Sequence, residues 1–274
     1  MKNIGISLIF IILVNSLIWG QHRPRKAIIE MEPVPSEHYQ VSIAFTLKDI
    51  PGQRFILTIP ETFTVAGYEK GMYTLRAQNW NIYPGGAEMQ HEDEHYKYSI
   101  KLFVEKSQKK TSLKWQIVFE NNSSESLKDL ASFNCLNLKE APLFKDLEME
   151  RTWVCNDQGE KVLLKTIPKT QAPGKRTMQF YPAVGGIKEL SASGFIKQWG
   201  VTSAASLSGN SISIVSRDSE WIIENVSDGP VAYFFNNWES THGCIHASPL
   251  LSKMLETGNC ASASGSINFI KNRK

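Results

Sequence analysis

The feature that most constrains this chain is a period of two. Tyr39, Val41, Ile43, Phe45 and Leu47 stand at every second position, with Gln40, Ser42, Ala44 and Thr46 between them. Side chains on a strand alternate between faces, so this run reads as a β-strand with one face buried. Similar apolar runs recur and are cut short by turn residues. Phe55–Ile59 follows Pro51-Gly52 and stops at Pro60, and Phe63–Tyr68 and Met72–Ala77 lie either side of a turn with Gly71. Tyr96–Val104 and Ser112–Glu120 are joined by a solvated turn, and Leu130–Leu138 carries Cys135. Arg151–Asn156 and Glu160–Thr166 flank Asp157-Gln158-Gly159, a hairpin signal with glycine at the left-handed position. Ser211–Val215, Trp221–Val226, Val231–Asn236 and the alternation around Ile267 and Phe269 complete the set. About a dozen short strands with frequent turns predict an all-β fold, a large antiparallel β-sandwich with one or two short helices, rather than βαβ units.

The breaks in the pattern locate everything else. Residues 79–95 read as a long loop around Pro84-Gly85-Gly86. Ala141–Leu147 fits one helical turn, and a short helix is expected near Ser193–Trp199. Ser248-Pro249 reads as a helix N-cap and first turn, with Leu250, Leu251, Met254 and Leu255 at helical spacing and Gly258 as the stop. Residues 167–195, rich in Pro, Gly and Lys, are the one candidate for a sub-boundary within a single sandwich domain spanning 37–274. A polar, proline-bearing arm over 21–36 leads into it.

Residues 1–20 have the pattern of a secretory signal peptide: Lys2, an apolar run from Ile4 to Trp19, then the small Gly20. No later run is long enough to span a bilayer, so no membrane span is expected after cleavage. The chain is therefore expected to be secreted or periplasmic. Cleavage removes only Lys2 among the charges and lowers the formal net charge of +3 by one, too weak a balance to favour nucleic acid. In an oxidising compartment, Cys135, Cys155, Cys244 and Cys260 are disulfide candidates. The pairings Cys135–Cys155 with Cys244–Cys260, or a Cys135–Cys244 bond across the sandwich, all stay open.

Reactive side chains are densest near the C-terminus. Glu239, His242 and His246 are candidate catalytic acid and base groups, and Trp221 and Trp238 a candidate aromatic platform for a sugar ring. No cofactor and no metal site is expected, because the single residue between Cys244 and His246 does not match the usual zinc spacing. His91-Glu92-Asp93-Glu94-His95 has the letters of a zinc-peptidase motif, but three adjacent acids running into a strand read as a charged loop.

Several of these stretches resemble a family of uncharacterised β-rich proteins of environmental bacteria. The resemblance rests on Ser216-Arg217-Asp218 and Cys244-Ile245-His246-Ala247-Ser248-Pro249. It extends to Cys135, Pro142-Leu143-Phe144-Lys145-Asp146, Arg151-Thr152-Trp153-Val154 and Asp157-Gln158-Gly159. It covers roughly residues 112–270, and this chain replaces the family's Pro-Gly-Glu turn with Glu256-Thr257-Gly258-Asn259-Cys260. More distantly, its size and strand richness are similar to galactose-mutarotase-like supersandwiches. These likenesses imply a β-rich fold and assign no catalytic residue. The functional expectation is a secreted sandwich that binds a carbohydrate or other extracellular ligand. A carbohydrate-active enzyme with epimerase- or lyase-like acid/base chemistry and a structural cell-envelope protein are the alternatives. Oligomeric state is left open.

Overall fold

The period of two builds two large sheets. The computed structural model describes residues 28–34, 42–68, 79–172, 178–190, 194–238 and 243–272. An eight-stranded sheet runs in the order β1 (Ile29–Val34), β2 (Ser42–Leu47), β3 (Arg54–Thr64), β8 (Leu127–Asn137), β16 (Gly243–Leu255), β15 (Val231–Trp238), β11 (Gln179–Pro182) and β12 (Val201–Thr202). A nine-stranded sheet runs in the order β10 (Lys161–Leu163), β9 (Thr152–Asn156), β13 (Leu207–Val215), β14 (Trp221–Ser227), β17 (Cys260–Lys271), β7 (Lys110–Asn121), β6 (Tyr96–Lys106), β5 (Gly86–Glu92) and β4 (Asn81–Tyr83). Pairing is antiparallel except between β11 and β12. The all-β sandwich read from the alternation is the observed fold. Its one α-helix among the described residues is α1 (Gly194–Trp199), where a short helix is expected. Pro142–Phe144 forms a single 3-10 turn inside the predicted helical stretch.

The inner faces meet in one apolar core. Phe45, Phe55, Phe144 and Phe269 pack with ring centroids 5.0–5.9 Å apart. Phe63 sits between Tyr98 and Phe119. Trp115 lies flat over Gly265, where a Cβ would come within 2.2 Å of the indole and 2.1 Å of the Val226 carbonyl oxygen. Only glycine tolerates that approach. The eight-stranded sheet also buries its other face. There Phe133, Phe180, Tyr233 and Phe235 meet Ile187, Leu190 and the Phe195 and Ile196 side chains of α1.

Three expectations are overturned. Residues 79–95 hold strands β4 and β5 rather than a long loop. Pro84-Gly85 is a two-residue turn, with Gly85 at φ +84° and Tyr83 opposite Gly86. Residues 250–255 extend strand β16 instead of forming a helix. Leu251 and Leu255 face the sandwich core and Leu250 the outer face, as odd and even positions of a strand do, and the two flanking strands supply hydrogen-bond partners on both sides. Pro249, the apparent helix start, falls where the β15–β16 register shifts, a place where a missing N–H costs little. Finally, within the stretch read as a lead-in arm, residues 29–34 form edge strand β1.

Candidate functional site

The Cys-Ile-His-Ala-Ser-Pro stretch lies in β16, in the middle of the eight-stranded sheet. Its pleat sends Ile245 and Ala247 into the sandwich core and Cys244, His246 and Ser248 to the outer face. β8 alternates in step: Leu136 points inward, and Phe133 and Cys135 point outward. His246 is sandwiched by rings, stacked on Phe133 at 4.3 Å and edge-on to Phe235 at 4.9 Å. It is 1% exposed. Among the described residues neither ring nitrogen makes a hydrogen bond of full geometry, although the Asn134 backbone lies close enough to interact. Burial pushes its pKa down to about 3, a weaker backbone contribution from Asn134 opposing it, so the ring is neutral at neutral pH.

Cys135, Cys244 and His246 converge on this face, with donor atoms all within 4.8 Å of one another. The Cys135 thiol is held well above its ordinary pKa, first by its hydrogen bond with Cys244 and then by burial. A widened stretch of β3 adjoins it. Thr58 pairs with Cys135 and Thr62 with Phe133, so Ile59, Pro60 and Glu61 stand opposite Asn134 alone. Glu61 interacts with the Cys135 thiol from this bulge. Such irregularities re-aim side chains beside sites.

The disulfide expectation is corrected. All four cysteines are free thiols. Cys155 and Cys260 lie on β9 and β17 of the other sheet, so the pairings Cys135–Cys155 and Cys244–Cys260 have no geometric basis. Cys135 and Cys244 are diagonal neighbours on one face yet remain unbonded.

Of the other candidates, those among the described residues do not assemble with His246. Glu239 and His242 lie outside the described residues. Trp238 is buried in the sandwich core, its ring against Gly243. Trp221 is on the nine-stranded sheet, half-buried, opposite Lys271. The two tryptophans therefore form no common platform. His91 and His95 are split by the β5–β6 turn: His91 is buried and paired with Asp93 at 3.1 Å, whereas His95 is exposed. Burial would raise the Asp93 carboxyl pKa, but hydrogen bonds from His91 and from the His95 and Tyr96 backbones together hold it low. The letters of a metallopeptidase thus describe a hairpin turn, with no helix to align two histidines.

Trp221 instead borders a groove of about 340 Å³ at one end of the nine-stranded sheet. Lys106, Lys109, Lys110 and Lys271 line it against one carboxylate, Asp49. Asp49 is 3.3 Å from Lys106. Lys271 Nζ lies 5.9 Å from the centroid of the Trp221 ring. A second groove, of about 270 Å³, is lined by serines, Asp228 and Pro230, with no aromatic ring and no cation.

The remaining residues of the resemblance hold the fold. Asp146 is buried and accepts hydrogen bonds from the Glu150 and Arg151 backbones and from Thr152 Oγ1, at 2.8–3.1 Å. Arg151 donates to the carbonyls of Leu143, Val215 and Lys145. Ser216 Oγ donates to Asp218 and accepts from the Trp221 N–H, closing the β13–β14 turn.

No protein-family model matches the chain, and no curated protein does. Two solved structures are distantly similar. One is the Slr1438 protein from Synechocystis sp. PCC 6803, with TM-score 0.49 and 10% identity over 90% of this chain and 93% of that one. The other is a galactose mutarotase related enzyme from Lactobacillus acidophilus, with TM-score 0.45 and 8% identity over 89% of this chain and 99% of that one.

Proposed function

We propose that the protein is an exported β-sandwich that binds an anionic ligand, an acidic glycan, in the groove beside Trp221. The observation that carries this reading is the lining of that groove, four lysines to one carboxylate around an indole edge. The chain as a whole is nearly neutral, so this concentration of positive charge is local. Ammonium groups on the β6–β7 turn and at the end of β17 would meet carboxylate or sulfate groups, and the half-buried indole would supply apolar contact to a ring. No catalytic step is assigned to the groove.

The test compares sulfated with neutral dextran oligosaccharides by calorimetry at rising salt. The sulfated ligand is expected to bind and to weaken steeply with salt, and the neutral one not to bind. Lys109→Glu with Lys110→Glu should abolish binding and leave the fold intact, since both side chains are exposed. Equal binding of neutral and sulfated chains, or indifference to the charge reversal, would overturn the reading.

A further inference from the structure

Cys135, Cys244 and His246 play no part in the groove. We propose that they form a binding site for a divalent d10 cation of the zinc class. Their donor atoms lie within 4.8 Å of one another. Around a tetrahedral zinc-sized ion, bonded at about 2.3 Å to sulfur and 2.0–2.1 Å to nitrogen, donors stand roughly 3.5–4 Å apart. A contraction of at most about 1.3 Å closes that difference.

The chemistry agrees with the geometry. Thiolate and imidazole donors select soft and borderline cations over magnesium or calcium. All three residues are buried, at 6%, 4% and 1% exposure. A dication held by two thiolates and a neutral imidazole carries no net charge, which an apolar enclosure tolerates. On binding, each thiol gives its proton to solvent and each sulfur gives an electron pair to the ion, so one ion releases two protons. His246 arrives neutral, and among the described residues neither nitrogen makes a hydrogen bond of full geometry, so ligation displaces at most a weak interaction with the Asn134 backbone. Asn237 Oδ1 and Ser248 Oγ share the outer face and are likewise buried without partners, so they could orient the other nitrogen.

A single residue between ligands is the wrong spacing for a helix or a knuckle. On a strand it is the right one, since residues two apart share a face, and the third ligand comes from the neighbouring strand.

The purified mature chain carrying Cys155→Ser and Cys260→Ser is reduced and titrated anaerobically with cobalt(II). One equivalent should bind with a thiolate-to-cobalt charge-transfer band and intense tetrahedral visible bands. One equivalent of zinc should displace it, and zinc binding to the metal-free form should release two protons. Cys135→Ser and Cys244→Ser should each reduce the charge-transfer band, and His246→Ala should weaken affinity at least tenfold. Should these variants fail to fold, stoichiometry, proton release and thermal stabilisation by zinc still decide the question in the parent protein. Absence of the charge-transfer band, or a Cys135–Cys244 disulfide in protein folded with zinc present, would overturn the proposal.

Discussion

Two buried polar clusters contain motif residues that stand out in the sequence, and they are built to opposite rules. Around Asp146 the polar groups match. Three donors reach one carboxylate, and the neighbouring guanidinium takes three carbonyls. Around His246 they do not. The two nitrogens of a ring packed between aromatic rings, a serine hydroxyl and an asparagine oxygen are buried without hydrogen bonds of full geometry among the described residues. Burying an unpaired polar group is costly, so the first cluster is a device for stability, and the second is where the cation site is proposed. The presence of polar motif residues does not separate the two cases; their hydrogen-bond accounts do.

The sharpest way to break the contrast is Asp146→Ala. It leaves three donors unmatched beside Arg151 and should cost about 3 kcal/mol or more, read from the urea midpoint. A loss below about 1 kcal/mol would show that the Asp146 cluster is not structural. The second test uses pH. The unfolded chain protonates His246 below about 6.5, but the folded chain holds it neutral to about 3. Between those values the unfolded state binds more protons, so stability falls as pH falls, by about 1.4 kcal/mol per unit from this group. Wild type should therefore lose about 2 kcal/mol more than His246→Phe between pH 7 and pH 5. Equal slopes would remove the claim that the ring is buried neutral.

A smaller effect is expected from Thr152→Val, which removes one of the Asp146 hydrogen bonds at nearly constant shape, about 1 kcal/mol by urea unfolding. At neutral pH, metal-free His246→Phe should change stability by less than about 1 kcal/mol, since an orphaned polar ring gives way to an apolar one. A loss like that of Asp146→Ala would place both clusters in the same class. Finally, thiol labelling of the folded protein should modify exposed Cys260 first, then Cys155, and reach Cys135 and Cys244 only on unfolding. Early labelling of Cys244 would show that the second cluster is open to solvent.

The sandwich itself was legible because a period of two repeats from strand to strand. The hairpin at Asp157-Gln158-Gly159 was legible for a local reason: Gly159 adopts φ +85°. What escaped was decided at longer range. Leu250, Leu251, Met254 and Leu255 carry a helical spacing, but a central position between two strands overrides it. The Cys244-x-His246 alternation was visible, yet its meaning depends on Cys135, which joins it only through β8–β16 pairing across more than a hundred residues. Trp221 was singled out with Trp238 as a platform, but the two lie on different sheets, and the lysines around Trp221 come from the β6–β7 turn and the end of β17, which only the nine-stranded sheet brings together.

The ends of the two sheets bear on how the molecule behaves in a crowd. Among the described residues, three of the four outermost strands, β4, β10 and β12, are only two or three residues long. The fourth, β1, carries Glu30, Glu32 and Pro33. Unpaired backbone at a sheet margin is a template on which another chain can add, and shortness, charge and proline each deny it a footing. In a protein with this much strand, such margins work against copies adding edge to edge, the first step toward a fibril.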